Sequence, residues 1–179
     1  MTFDTFLGLL NQTPAQGNRI YAQVLYAQAK LETGNFTSNL FKSANNLFGM
    51  KPSQSRTRYY DSSVTVGSET FASYASPTYS VVDRADLDAY NGVLVPVDVE
   101  HIRGYMTAVL SKGYATDPNY ITKWVDVLKN IGNELGGSDD DGEFDHIQTP
   151  TKSMKYVYIF LFLVGCYLGY KWYKRRQLA

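Results

Sequence analysis

The sequence predicts an α+β domain, mostly helical with a small antiparallel β-lobe, followed by a C-terminal transmembrane helix. Three observations carry that expectation. Apolar residues recur at helical spacing through most of the chain before residue 135. The run RTRYYDSSVTVGSETFASY, residues 56–74, instead alternates and is rich in Tyr, Val and Thr, with Gly67-Ser68 as a turn signal. Finally YVYIFLFLVGCYLGY, residues 156–170, contains no charge at all.

The elements follow in order. Phe3, Phe6, Leu7 and Leu10 form a short helical stripe, and Thr13-Pro14 offers a cap and first-turn proline for the next helix, making a helical hairpin. Ile20, Val24, Ala27 and Leu31 give that second helix a buried stripe, and Gly34 stops it in the left-handed conformation. Glu32 then falls in the last turn, where the negative end of the helix dipole raises the pKa of a carboxyl group. A carboxyl kept protonated near neutral pH suits a general acid, although a solvated Glu at a helix end is the plainer alternative.

From residue 35 to 44 the chain is polar around Phe36, Leu40 and Phe41, which implies a turn and a short helix. Asn45 and Asn46 are turn-formers, and an NNLFG turn also offers amides to a sugar N-acetyl group. Beyond the β-lobe, a helix after Pro77 stops at Asn91-Gly92, and another from Asp98 to Lys112 buries Val99, Ile102, Met106 and Val109. Both are expected to be scaffold. Asp117-Pro118 starts the last helix, whose core face is Ile121, Trp124, Val125, Leu128 and Ile131.

Residues 1–135 therefore form the expected folded domain, and 136–153, polar and acidic, a flexible linker. Residues 154–173 have about the length that crosses a bilayer, with Tyr and Trp172 at the ends as an aromatic belt. Residues 174–179 form a basic tail. Lys171, Lys174, Arg175 and Arg176 outnumber Lys152 and Lys155, so the tail should face the cytoplasm and the folded domain the other side.

Composition narrows the function classes. Seventeen basic residues balance 17 acidic ones with no basic stripe, so nucleic acid is not an expected partner. The chain's 15 Tyr suit a groove that stacks rings on sugar faces, and equally a packed core. Cys166 is the only cysteine, which excludes an intrachain disulfide. His101 and His146 lack companions at ligand spacing, so no metal and no cofactor are expected. No Lys or Arg precedes the first apolar run, so no cleaved export signal is expected.

AQAKLETG, then NNLFGMK, then GYATDPNY resemble, in that order, three motifs of the glucosaminidase family, glycoside hydrolase family 73, over roughly residues 1–135. The resemblance implies a lysozyme-like fold and cleavage of peptidoglycan glycan strands. It implies that Glu32 is the catalytic acid and that Asn45, Asn46, Leu47, Phe48 and Gly49 line the cleft. It also implies that Tyr114 and Tyr120 shape the site, Tyr120 on the catalytic side and Tyr114 on the substrate side. The family places a second acidic residue on the first strand of the β-lobe, where this chain has Arg58 and Tyr59. The nearest carboxylates, Asp61 and Glu69, are the candidates, with solvated turn residues as the alternative.

The function expected on these grounds is an endo-β-N-acetylglucosaminidase acting on peptidoglycan. A lytic transglycosylase, which needs one Glu, is a rival, and a non-catalytic wall-binding or structural membrane protein is another. The partners expected are peptidoglycan, a lipid bilayer and, if the anchor sits in the membrane of a phage particle, virion proteins. A bacterial tail-anchored autolysin is the competing placement.

Overall fold

The computed structural model describes residues 1–13 and 15–134. The expected linker, membrane span and basic tail lie outside them. Among the described residues no helix is long and apolar enough to cross a membrane.

Among the described residues, six α-helices and one hairpin follow in the order α1 (Phe3–Leu10), α2 (Arg19–Glu32), α3 (Asn39–Ala44), β1 (Ser62–Val66), β2 (Glu69–Ser73), α4 (Pro77–Tyr90), α5 (Val99–Ser111) and α6 (Tyr120–Glu134). The fold is thus mostly helical with a two-stranded antiparallel sheet, as the periodicities imply. Helix α2 is the centre of the core. Every residue from Tyr21 to Ala29 is buried, so α2 is buried all round rather than along the one stripe expected. The Trp124 indole of α6 donates to the Val24 carbonyl at 2.8 Å, fixing α6 against α2.

The start of α2 differs from the sequence expectation. Its N-cap is Asn18, whose Oδ1 receives the Tyr21 N–H at 2.9 Å, not Thr13-Pro14. Thr13 and Asn18 are both competent caps, but the Asn18 amide also donates to the Pro96 carbonyl at 3.0 Å. That long-range bond selects the later start. Thr13 instead accepts from Ala15 N–H in the connecting turn.

At the other end, Gly34 (φ +55°) closes α2 as expected. Its N–H reaches the Leu31 carbonyl at 3.4 Å, and Asn35 N–H reaches that of Lys30 at 2.8 Å, the double closure of a Schellman stop. The left-handed path continues through Asn35 (φ 58°) and Phe36 (φ 62°). Phe36 packs on Tyr26 and Phe41, and its N–H is held by the Thr33 hydroxyl at 2.8 Å, which offsets the strain.

The β-lobe is shorter than the alternating run suggests. Residues 54–56 form a 3-10 turn, so Arg58 and Tyr59 precede the first strand instead of lying on it. The hairpin pairs Ser62 with Ser73 through Val66 with Glu69. Gly67 (φ +62°) supplies the positive φ of its two-residue turn. Residues 44–50 run alongside β2: Ala72 N–H donates to the Met50 carbonyl and Tyr74 N–H to that of Ala44, each at 2.9 Å.

Candidate active site

Three elements converge on Glu32. Helix α2 carries it on its last residue, α6 brings Tyr120 on its first, and the segment from Asn45 to Met50 runs past its open side. The Tyr120 hydroxyl donates a short hydrogen bond to Glu32 Oε1. On the opposite oxygen, a Cβ placed at Gly49 would stand 3.8 Å from Oε2, an ordinary van der Waals contact, so Gly49 borders that oxygen.

Burial pushes the Glu32 carboxyl above its ordinary value, while the Tyr120 hydrogen bond and the Arg84 charge pull it back. The direction agrees with the expectation from the helix end. Its leading cause is desolvation by burial, which disfavours the anion, and not the helix dipole from which the expectation was argued. Burial also raises Tyr120, with the Tyr114 and Glu32 charges adding to it, so that hydroxyl stays protonated and acts as a donor.

The NNLFG segment is built from inside. Asn46 is buried and its amide is fully engaged. Nδ2 donates to the Met50 and Ala72 carbonyls at 2.9 and 2.8 Å, and Oδ1 accepts from Phe48 and Met50 N–H. Asn45 sits in the left-handed conformation (φ 51°) and donates to the Tyr74 carbonyl. Leu47 and Phe48 point into the core. Tyr114 donates to the Phe48 carbonyl at 2.7 Å, and its ring lies 6.0 Å from that of Tyr120. The structure thus brings Glu32, Gly49, Tyr114 and Tyr120 together. Asn46, Leu47 and Phe48 lie beneath them, holding the segment in place.

The two β-lobe acids are placed differently. Glu69 is exposed and pairs with Lys51 at 2.8 Å. Asp61 is exposed just before β1, its N–H bonded to the Ser73 carbonyl. Five residue steps separate Asp61 from Val66, the partner of Glu69, so the two stand roughly 17 Å apart along the hairpin. They cannot share one position opposite Glu32.

Two buried polar clusters on α4 escaped sequence reasoning, which took that helix for scaffold. In one, Arg84 Nη1 meets Asp88 Oδ1 at 2.5 Å, and Asp88 Oδ2 accepts from Tyr21 and Tyr105 at 2.8 and 2.7 Å. The Arg84 guanidinium also lies 4.9 Å from the centre of the Tyr114 ring. In the other, Arg56 Nη1 meets both Asp83 oxygens at 2.6 and 2.7 Å, and the Tyr74 hydroxyl donates to Oδ2 at 2.6 Å. A signal for both existed. Residues 80, 83, 84 and 88 fall on one helical face with Val81, so the charged groups at 83, 84 and 88 occupy positions that the pattern assigns to the core. An apolar groove of about 410 Å³ on α4, lined by Tyr59, Ala85, Val93 and Leu94 among others, contains no predicted site residue.

The family model for glucosaminidase, described as mannosyl-glycoprotein endo-beta-N-acetylglucosaminidase, matches residues 11–133. The chain is also 35% identical over 141 residues to an N-acetylmuramoyl-L-alanine amidase domain-containing protein of Staphylococcus aureus (strain NCTC 8325 / PS 47). That match takes in 70% of this chain, and the chain spans only 22% of the relative's length. No solved structure matches.

Proposed function

The chain belongs to the glucosaminidase family of glycoside hydrolases, and from that premise we propose that it cuts peptidoglycan glycan strands with Glu32 as the general acid. The observation that carries this reading is a partly buried carboxyl, raised by desolvation and oriented by Tyr120, with one oxygen facing a glycine in the NNLFG segment. The bond is the β-1,4 link between N-acetylglucosamine and N-acetylmuramic acid. Glu32 protonates the leaving oxygen as positive charge develops at the anomeric carbon. A solvated carboxylate at Asp61 or Glu69 would activate water from the far face. Without one, the substrate's own 2-acetamido oxygen attacks that carbon.

A lytic transglycosylase is the second reading, favoured by the engagement of Glu69 with Lys51 rather than with the acid. A 1,6-anhydro product end would mark it, and a reducing sugar the hydrolase. The test of the main reading is lysis of purified cell walls by wild type and Glu32→Gln. Gln keeps the shape and the acceptor for Tyr120 but has no proton to give. Wall lysis that persists in the variant overturns the assignment of the acid, whereas a wild type that lyses no wall would leave the non-catalytic wall-binding protein as the account.

The proposal extends to place. The apolar run at 154–173 with basic residues after it supports a single-pass anchor, the catalytic domain lying across the membrane from the tail. We place that anchor in the membrane of a phage particle, since a tether raises enzyme concentration at one entry point and confines damage there. Fractionation tests it. Full-length protein found in the host envelope and absent from purified particles refutes the virion placement in favour of a tail-anchored autolysin.

A further inference from the structure

Behind Glu32 lies a chain of buried polar side chains whose hydrogen-bond directions are all determined. Arginine has donors and no acceptor. Arg84, fully buried, gives its Nε–H to Gln28 Oε1 at 3.0 Å. The Gln28 oxygen is therefore an acceptor, and its NH₂ must face the other neighbour. That neighbour is the Tyr120 hydroxyl, 3.2 Å from Nε2. Receiving from Gln28, the hydroxyl has a single hydrogen to give, and it goes to Glu32 Oε1. The far end is pinned by Asp88, on Arg84 Nη1 at 2.5 Å, and by Tyr105, whose oxygen accepts from Nη2 at 3.0 Å.

We infer that this chain, Arg84 to Gln28 to Tyr120, decides which oxygen of Glu32 carries the transferable proton. Oε1 is held as an acceptor, so the proton resides on Oε2, the oxygen beside Gly49. Arg84 and Gln28 are then positioning residues: neither touches Glu32, and both act through the Tyr120 hydroxyl. The inference rests on Glu32 being the general acid.

A chemical consequence follows. When Oε2 gives its proton to the glycosidic oxygen, Oε1 already has its donor, so the new anion forms without rearrangement around it. Without the Gln28 donor, the Tyr120 hydroxyl is free to turn. Protonated Glu32 can then donate from Oε1 to the tyrosine oxygen, which stabilises the neutral acid with its proton on the wrong side. Titratable and charged groups acting on Glu32 are Tyr120 of α6, Tyr114 of the segment before it, and Arg84 of α4, which pairs with Asp88.

The test is a pH titration of a labelled Glu32 carboxyl by carbon NMR, beside the pH profile of kcat, in wild type, Tyr120→Phe, Gln28→Met and the double variant. Tyr120→Phe should raise the Glu32 titration by about one unit, since a hydrogen bond to the anion is lost. Gln28→Met should raise it by roughly 0.5 unit and lower kcat about tenfold with KM unchanged, the alkaline limb of the profile moving with it. The double variant should match Tyr120→Phe alone. Gln28→Glu provides a second route, because its carboxylate keeps the bond from Arg84 and draws the Tyr120 hydrogen away from Glu32, again raising the titration. An unmoved titration in folded Gln28 variants, or shifts that add in the double variant, overturns the inference. Because NMR reads the carboxyl without turnover, that failure is distinct from retained lysis by Glu32→Gln, which overturns the assignment of the acid itself and this inference with it.

Discussion

Asp83→Asn should destabilise the domain by several kcal/mol and loosen the site's open side with it. The Asp83 side chain is completely buried, and its carboxylate holds Arg56 through two contacts at 2.6 and 2.7 Å and the Tyr74 hydroxyl at 2.6 Å. Arg56 in turn donates to the Lys51 carbonyl at 3.1 Å, at the end of the NNLFGMK segment. An amide at position 83 leaves a guanidinium whose side chain is 11% exposed without its countercharge. Removing one partner of such a pair costs about 3–5 kcal/mol. Tyr74 can still donate to the amide oxygen, so the lower end applies, about 3 kcal/mol. For a domain of this size that corresponds to a melting temperature lower by roughly 10–15 °C. Thermal unfolding followed by far-UV circular dichroism reads the change. Replacing all three partners, Asp83→Leu with Arg56→Met and Tyr74→Phe, should recover at least half of the loss, because the apolar set leaves neither an unpaired charge nor a buried hydroxyl without its acceptor. A melting point within about 3 °C of wild type for Asp83→Asn, or a triple replacement no better than the single one, would refute the reasoning.

Asp61→Asn and Glu69→Gln should be compared by wall-lysis rate. A fall of about 10²-fold or more in one of them names the base, whereas two near-wild-type rates favour the acetamido or transglycosylase routes. Glu32→Gln should melt above wild type at alkaline pH, with the gap closing below the ordinary carboxylate value of 4.5. The sign follows from linkage: native Glu32 keeps a proton that the unfolded chain releases, so wild-type stability falls as pH rises from 4.5 through the raised native value. A gap independent of pH would contradict the burial argument. Gly34→Ala should cost about 1 kcal/mol from its positive φ alone, since a Cβ there would meet only Thr37 Oγ1 at an ordinary 3.6 Å. Chemical denaturation measures it, and an unchanged midpoint would mean that the stop relaxes to another conformation.

What the sequence made legible was local. Gly34, Gly92 and Gly113 stop their helices because only a residue without Cβ takes positive φ freely, and that requirement is written in one position. Gly67-Ser68 marks the hairpin for the same reason. The pairing of Glu32 with the NNLFG segment at the candidate site was legible as well, because the two lie within 18 residues of each other in the chain. What was not legible depends on pairs far apart. Gln28 meets Tyr120 across 92 residues, Arg84 meets Gln28 across 56, and Tyr21 meets Asp88 across 67. No periodicity encodes such pairs. Even the start of α2 follows this division, since Asn18 prevails over Thr13 through a bond to Pro96, 78 positions away.

Helix α4 shows why its buried polar groups matter to the site. Ser80 accepts the Leu47 N–H at 3.0 Å, Asp83 binds Arg56 and Tyr74, Arg84 binds Gln28, and Asp88 binds Tyr21 and Tyr105. One helix therefore touches the NNLFG segment, the β-lobe and the helix that carries Glu32. Apolar residues of similar volume would pack these elements as firmly, often more so, because burying ion pairs carries a desolvation cost. They could not specify a direction. The Arg84 charge lowers the Glu32 carboxyl only as the least of the causes acting on it, whereas the donor sense of its Nε–H passes through Gln28 to a single hydroxyl hydrogen. A general acid needs that information more than it needs extra stability, since a proton on the wrong oxygen is as useless to the glycosidic bond as no proton at all.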